Sequence, residues 1–300
     1  MDIIRPVVVT DAVLDSSNVP ENDYAEWNVA TAYTVGNRVI LLSTHRIYEA
    51  VGSSTGVNPA TDDGTNWLNI GATNRWKAFD QKISDPVTQL DNISYTLTDD
   101  NSTPTAVALF GLKGVTATVT VTDAVEGEVY SQTNSLLDSD EIFDWFSYFF
   151  EEITYVSTTL FTGIPPYRGA TITVTVTEDT GETAQLGQLV FGYLTELGVT
   201  TYGTAISIQD FSRKETDAFG NFIVVQRAFA NLVDFDVRLP TQTAGRVRRI
   251  LAEYRATPIV YVGNENSSFG TIVYGFYRNF DITLDTPSLS FAAIEVEGLS

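Results

Sequence analysis

The residue types that could perform chemistry in this chain are few, and their spacing removes most enzyme classes. A single histidine, His45, is available as a base, and no Gly-x-Ser-x-Gly elbow presents a serine for it to activate, so Ser-His-Asp hydrolysis is not expected. The chain has no cysteine, which excludes thiolate nucleophiles, thiolate metal sites and disulfides. Glycoside cleavage needs only two carboxylates about 5 to 9.5 Å apart. Glu151 and Glu152 are adjacent, however, and on a strand adjacent side chains point to opposite faces. Asp62-Asp63-Gly64 and Asp138-Ser139-Asp140-Glu141 gather oxygens of the kind a hard cation prefers, but neither has EF-hand spacing, and no metal or other cofactor is expected. Neither phosphate-cradling pattern, G-x-x-x-x-G-K-[ST] or G-x-G-x-x-G, occurs. The expectation is a protein that is not an enzyme.

Composition points to partners rather than substrates. Three hundred residues, 43% hydrophobic and 18% charged, suit two or three domains with real cores. Thirty-eight acidic against seventeen basic residues leave a formal charge of -21, which opposes the counterion release that drives nucleic-acid binding, so no nucleic-acid partner is expected. The charge is uneven: residues 85–189 hold sixteen acidic residues against two basic ones, Lys113 and Arg168. Such a run is a solvated face or a match for a basic partner ring. No window approaches the roughly 20 apolar residues that span a bilayer, and the first residues have no signal-peptide core, so synthesis in the cytoplasm and no membrane span are expected.

The elements that must carry these residues are mainly β. Residues 1–24 form an arm with the strand-like run Pro6-Val7-Val8-Val9-Thr10, able to pair with another domain or another subunit. Residues 25–72 form a small module with short strands at 38–42 and 45–51 and a loop at 52–56. A module this small without cysteines must use its aromatics as a miniature core, and Trp27, Tyr33, Tyr48 and Trp67 are the candidates. From 73 to 195 the alternation of Thr with Val or Ile, at 105–110, 117–122 and 170–177, predicts antiparallel strands with one buried face. The run Asp144-Trp145-Phe146-Ser147-Tyr148-Phe149-Phe150-Glu151 is too aromatic for a surface helix and reads as core, with a partner-facing patch as the alternative.

Residues 196–300 mix strands with one helix at 243–256. Val247, Ile250, Leu251 and Tyr254 lie at i, i+3, i+4 and i+7, placing an apolar stripe on a sheet, with Thr241 or Thr243 as the cap and Pro258 marking the end. Arg246, Arg248, Arg249 and Arg255 occupy the rest of that helix. Strand Ile272 to Phe276 reads as an edge able to pair with a neighbour.

Two resemblances give these elements a context. The stretch W-N-V-A-T-A-Y-T-V-G-N-R-V-I-L-L-S-T-H-R-I-Y-E-A, followed by N-P-A-T-D-D-G-T-N-W, resembles carbohydrate-binding modules of the chitin-binding type, families 5 and 12. That family places exposed aromatics after the Y-x-A strand, where this chain has Val51-Gly52-Ser53, so the resemblance implies a scaffold without the usual sugar platform. Residual sugar contact would fall to Trp67 or His45. The junction G-A-T-N-R-W-K-A-F-D, with Ile208-Gln209-Asp210-Phe211-Ser212-Arg213-Lys214-Glu215-Thr216, Val273-Tyr274-Gly275-Phe276-Tyr277-Arg278-Asn279-Phe280 and Glu295-Val296-Glu297-Gly298-Leu299, resembles structural proteins of tailed-bacteriophage virions.

The strand pattern of the middle domain looks like a jelly-roll-like sandwich. The β-sandwich with one flanking helix expected at the end is similar to tail-tube and distal-tail ring proteins, in agreement with the resemblance. The resemblance itself implies a place in the virion, in a homo-oligomeric ring at the tail tip or baseplate, or else at the neck or collar. Threefold or sixfold symmetry and contacts with other phage tail proteins follow from it, with lectin-like domains displayed outward and heterologous contacts closing the ring. Candidate interface residues are Arg5, Arg246, Arg249 and Arg255. The alternative function is an adsorption protein that binds host surface glycans.

Overall fold

Threonines alternating with Val, Ile, Leu or Tyr make three strands with one dry face each, and these strands lie side by side. Thr116–Asp123, Thr171–Thr177 and Asn92–Thr98 pair in that order, flanked by Gly127–Ser135 and Leu14–Ser17. Ala117, Val119, Val121, Ile172, Val174, Val176, Ile93, Tyr95 and Leu97 are buried. Across the wet face hydroxyls bond in pairs, Thr98 with Thr171 at 3.0 Å and Ser94 with Thr175 at 3.2 Å. The dry face meets Val107, Leu109, Phe161, Leu189 and Phe191 of a second sheet, giving a β-sandwich. The computed structural model describes residues 1–138, 144–150, 154–216, 219–266 and 269–299.

The second sheet has ten strands and unites most of the chain. Its order is Thr158–Phe161, Ala106–Phe110, Gln188–Glu196, Asp2–Pro6, Ile259–Val262, Ile272–Leu284, Leu289–Gly298, Phe229–Pro240 and Val199–Thr200, with Ala205–Asp210 also on Phe229–Pro240. Ala106–Phe110 and Ile259–Val262 are buried at every position, as strands covered on both faces must be. The rings of Phe110 and Tyr274 lie 5.9 Å apart, although three strands separate their own strands in the order above. Four steps of about 4.8 Å would put them roughly 19 Å apart on a flat sheet, so the sheet curls and buries its concave face on itself.

One expectation is met and two change here. The arm pairs with other domains of its own chain: Asp2–Pro6, just before most of the strand-like run 6–10, is an interior strand, antiparallel to Gln188–Glu196 on one side and Ile259–Val262 on the other. The sheet thus runs straight through the expected boundary at residue 195. Ile272–Leu284 lies between Ile259–Val262 and Leu289–Gly298, but the two partners overlap only at Gly275. Residues 272–275 pair with Ile259–Val262, and pairing with Leu289–Gly298 starts at Gly275. The expected edge is thus narrowed to residues 272–274, where the Leu299 N–H donates to the Tyr274 carbonyl at 2.8 Å. A strand's neighbours are set by tertiary pairing, which its own composition does not record.

Helix Ala244–Glu253 covers one face of the C-terminal strands. Val247, Ile250 and Leu251 are buried against Val233, Phe235, Val237 and Ile294, with Tyr254 packed at the margin. Neither expected threonine caps it through its side chain: Thr243 donates to the Pro240 carbonyl at 2.7 Å and Thr241 to Thr286 at 2.8 Å. Among the described residues no helix is long and apolar enough to cross a membrane.

The small module is a three-stranded sheet, Arg38–Leu41, Arg46–Ala50 and Trp67–Ala72, beside the pair Ala32–Tyr33 and Ser54–Thr55. A 3-10 helix, Asn74–Phe79, joins it to the sandwich.

Candidate functional site

Trp67, Tyr33 and Tyr48 come together with Val39, Leu41 and Ala50 as the buried core of the module, and Trp27 packs against them from a half-buried position. Trp67 is 2% exposed. Its ring meets Tyr33 edge-on with centroids 5.0 Å apart, and its indole N–H donates to the Val57 carbonyl at 3.1 Å. A sugar stacks on an exposed aromatic face, and Trp67 has none, so its candidacy as a sugar contact fails on burial. Val51 and Gly52, after the Y-x-A strand, carry no ring.

His45, the other candidate for sugar contact, is also committed internally. It sits at the turn between Arg38–Leu41 and Arg46–Ala50 with φ of 53°, a left-handed conformation that histidine adopts more readily than branched residues. Its Nδ1 lies 2.9 Å from Glu21 Oε1 and its Nε2 2.7 Å from Asp11 Oδ1. The ring stacks on Trp76 at 4.0 Å. Trp76 then meets Phe79 edge-on at 5.7 Å, and Phe79 meets the buried Tyr95 at 5.4 Å. A ladder of four rings therefore runs from the module into the sandwich core.

Polar bonds tie the same joint. Glu21, with its side chain 8% exposed, also accepts from Thr73 Oγ1 at 2.8 Å. Arg75 donates to the Val19 carbonyl at 2.7 Å, and Asn74 Nδ2 to Thr88 at 2.8 Å. The N-R-W junction motif is thus the fastening between module and body. Asp11, Thr44, Arg46, Trp76 and Asp80 line a cleft of about 260 Å³ beside His45. Burial raises the Asp80 carboxyl above its usual value.

The carboxylate clusters are occupied or lie elsewhere. Asp62 accepts from the backbone N–H groups of Gly64, Asn66 and Trp67 and from Asn66 Nδ2. The Asn66 amide and these N–H groups pull its carboxyl down to about 2. Its oxygens therefore serve the loop before Trp67. Asp63 does the same for Thr65. Of Asp138-Ser139-Asp140-Glu141, residues 139–141 lie outside the described residues, as do Glu151 and Glu152. Among the described residues no group of three or more His, Cys, Asp or Glu side chains is arranged to hold a metal ion.

The candidate interface arginines separate into two kinds. Arg5 is engaged within the chain, its Nε donating to Tyr254 Oη at 3.0 Å and its guanidinium 3.7 Å from Glu253. Arg246, Arg248, Arg249 and Arg255 are exposed, and no ion pair holds any of them among the described residues.

Two apolar surfaces complete the exterior. Arg213–Thr216 and Phe222–Val225 pair with each other as a two-stranded ribbon and, among the described residues, with no other strand. Phe222, Ile223, Val224 and Val225 are all exposed, Phe222 by 81%. Nothing in the run of four apolar residues signals exposure; it is uncovered because, among the described residues, its strand pairs with Arg213–Thr216 alone. The aromatic run expected in the core forms a short helix, Trp145–Phe150, with Trp145, Phe146, Phe149 and Phe150 exposed.

No protein-family model matches this sequence, and a comparison with curated proteins finds no match.

Proposed function

We propose that this chain is a structural subunit of a tailed-phage virion, assembling into a homo-oligomeric ring at the tail tip or baseplate and holding its small module outward on the aromatic joint. The observation that carries the reading is the ribbon strand Phe222–Val225, which presents apolar side chains to both faces and is exposed at four consecutive positions. Contiguous apolar surface of this kind marks a protein interface, and a ribbon projecting beyond its sheet reaches a neighbour more readily than a ligand. On this reading the partners are further copies and other phage tail proteins, with threefold or sixfold symmetry, and no catalytic step is involved. The chain is made in the host cytoplasm and works in the particle; a neck or collar ring is the second location.

A glycan-binding adsorption role receives no support from the residues that would carry it. Trp67 lacks an open face, and His45 is held between two carboxylates. The deciding experiment is the position and copy number of the chain in assembled particles, by cryo-electron microscopy and quantitative mass spectrometry. A fixed ring of three or six copies, or a multiple of these, at the tail is expected. Absence from purified particles would reject the reading.

A further inference from the structure

We propose that the arginine-bearing helix of one copy docks on the acidic face of the C-terminal sheet of a second copy, forming a head-to-tail contact. The inference rests on the reading of the chain as an assembling subunit and names the two surfaces that meet.

The acceptor surface follows from strand register. Val233, Phe235 and Val237 of Phe229–Pro240 point to the helix, so Asp234 and Asp236 between them point to the opposite face. Asp234 is paired with Glu295, which is paired in turn with Asn279. In the next row Asp236 is paired with Ala293, and Ala293 with Asp281. Residues that are Cα partners across strands share a face. Four exposed carboxylates, Asp234, Asp236, Asp281 and Glu295, therefore surround the small side chain of Ala293. None of the four has an ion-pair partner among the described residues. Two arginines stand at the margin: Arg278 is bonded to Glu297 and Gln209, and Arg238 lies over the Phe291 ring at 5.6 Å.

The donor surface is the outer side of Ala244–Glu253 and the turn after it. Arg246 and Arg249, three residues apart, share one helix face, and Arg248 and Arg255 lie beside them. Glu253, the acid on this stretch, is already near Arg5. No acidic residue occupies the first turn, so Arg246 sits where the helix dipole favours negative charge.

Each surface is electrostatically unfavourable alone and compensated by the other. Asp234 and Glu295 are like charges directly opposite on neighbouring strands, an arrangement that destabilises a sheet. On the helix, Arg246 opposes the dipole from the first turn, and Arg246, Arg248 and Arg249 repel one another along the exposed side. A second copy is the partner that provides both compensations at once, because helix and carboxylates lie on opposite faces of one sheet. Such a contact joins two different patches, so it propagates and closes into a ring or extends as a stack.

A charge-exchange experiment on the full chain tests this. The variant Arg246→Glu/Arg249→Glu turns the helix acidic, and Asp234→Lys/Glu295→Lys turns the sheet face basic. By sedimentation at low ionic strength, the natural chain is expected to self-associate, and each variant alone to do so at least about tenfold more weakly, since like charges across an interface cost several kcal/mol. An equimolar mixture of the two variants is expected to associate again, because each now offers what the other lacks. Circular dichroism checks folding, and the neutral pair Arg246→Gln/Arg249→Gln supplies an intermediate loss that needs no reversed charge. Self-association indifferent to both reversals would overturn the proposed contact while leaving the ring reading intact. A natural chain that stays monomeric, with or without an acidic peptide or DNA duplex bound at the same arginines, would also overturn it. Rescue by the mixture, in a chain then found absent from particles, would reject the virion reading alone.

Discussion

Replacing Trp67 by alanine would empty the centre of the module, because the indole fills the space against Tyr33 and anchors Val57 through its N–H. The expected cost is about 3–5 kcal/mol of module stability, read by chemical denaturation. A titration with chitin oligomers is expected to give no binding to either form, and saturable binding by the natural chain that alanine abolishes would contradict the core assignment. Asp62 supports the same core from outside. Its carboxyl is depressed by the N–H groups it accepts, so its contribution is complete above the ordinary carboxylate range and is lost as pH falls through about 2. Asp62→Ala is expected to lower the module's melting temperature at neutral pH and to flatten its acid dependence; a melting curve unchanged at every pH would refute this. At the joint, His45→Ala removes both carboxylate contacts and the stack on Trp76. Leaving the mostly buried Glu21 with fewer donors should cost about 1–3 kcal/mol, and hydrogen exchange at 73–80 should quicken while the sandwich strands stay protected. The four module aromatics are legible in sequence because a small cysteine-free unit has few other ways to build a core. The joint was not, because Asp11, Glu21 and Trp76 are far from His45 in sequence and no local pattern announces their meeting.

At the level of elements, pairing is decided by close approach as much as by propensity. Gly192 lies opposite Pro6 in the ten-stranded sheet, and a Cβ there would fall onto the Arg5 carbonyl oxygen. Gly192→Ala is therefore expected to displace Asp2–Pro6 and to destabilise the whole protein by about 1–3 kcal/mol. Urea denaturation measures it, and a change within about 0.5 kcal/mol would mean that the strand tolerates displacement. The Thr/Val alternation of Thr116–Asp123 and Thr171–Thr177 is readable because each residue reports its own face. The helix stripe Val247, Ile250 and Leu251 is readable for the same reason. Sheet neighbours are not readable in this way. The arm reads as able to pair with another domain or another subunit, and only the fold selects strands of its own chain on both sides. The 272–276 segment reads as an edge, and the fold pairs its first three residues on one side only. Hydrophobic content likewise misleads at Trp145–Phe150, where six residues offer too short a helix to bury rings all round.

For the whole molecule, the ribbon is the feature whose cost to the isolated chain calls for a compensating partner. Its charged strand keeps it from pairing at random: Arg213 bonds Glu215 at 2.5 Å and Lys214 bonds Asp210 at 2.8 Å, and charges on an edge strand discourage unintended strand addition. The apolar strand beside it then remains available for a specific neighbour. Phe222→Ser/Val224→Ser removes apolar surface from one face of the ribbon and touches no buried core. Stability of the isolated chain should stay within about 0.5 kcal/mol of the natural protein, because both side chains are exposed before and after. Assembly should not stay the same. In particles complemented with the double variant, the number of copies per particle is expected to fall sharply, with unincorporated chain accumulating as folded protein. Undiminished incorporation would show that the ribbon is dispensable and leave the helix and the acidic sheet face as the surfaces to pursue. A drop accompanied by unfolding would instead assign the ribbon a structural task inside its own subunit. Folded protein that fails to enter the particle is the outcome that separates an interface from a core.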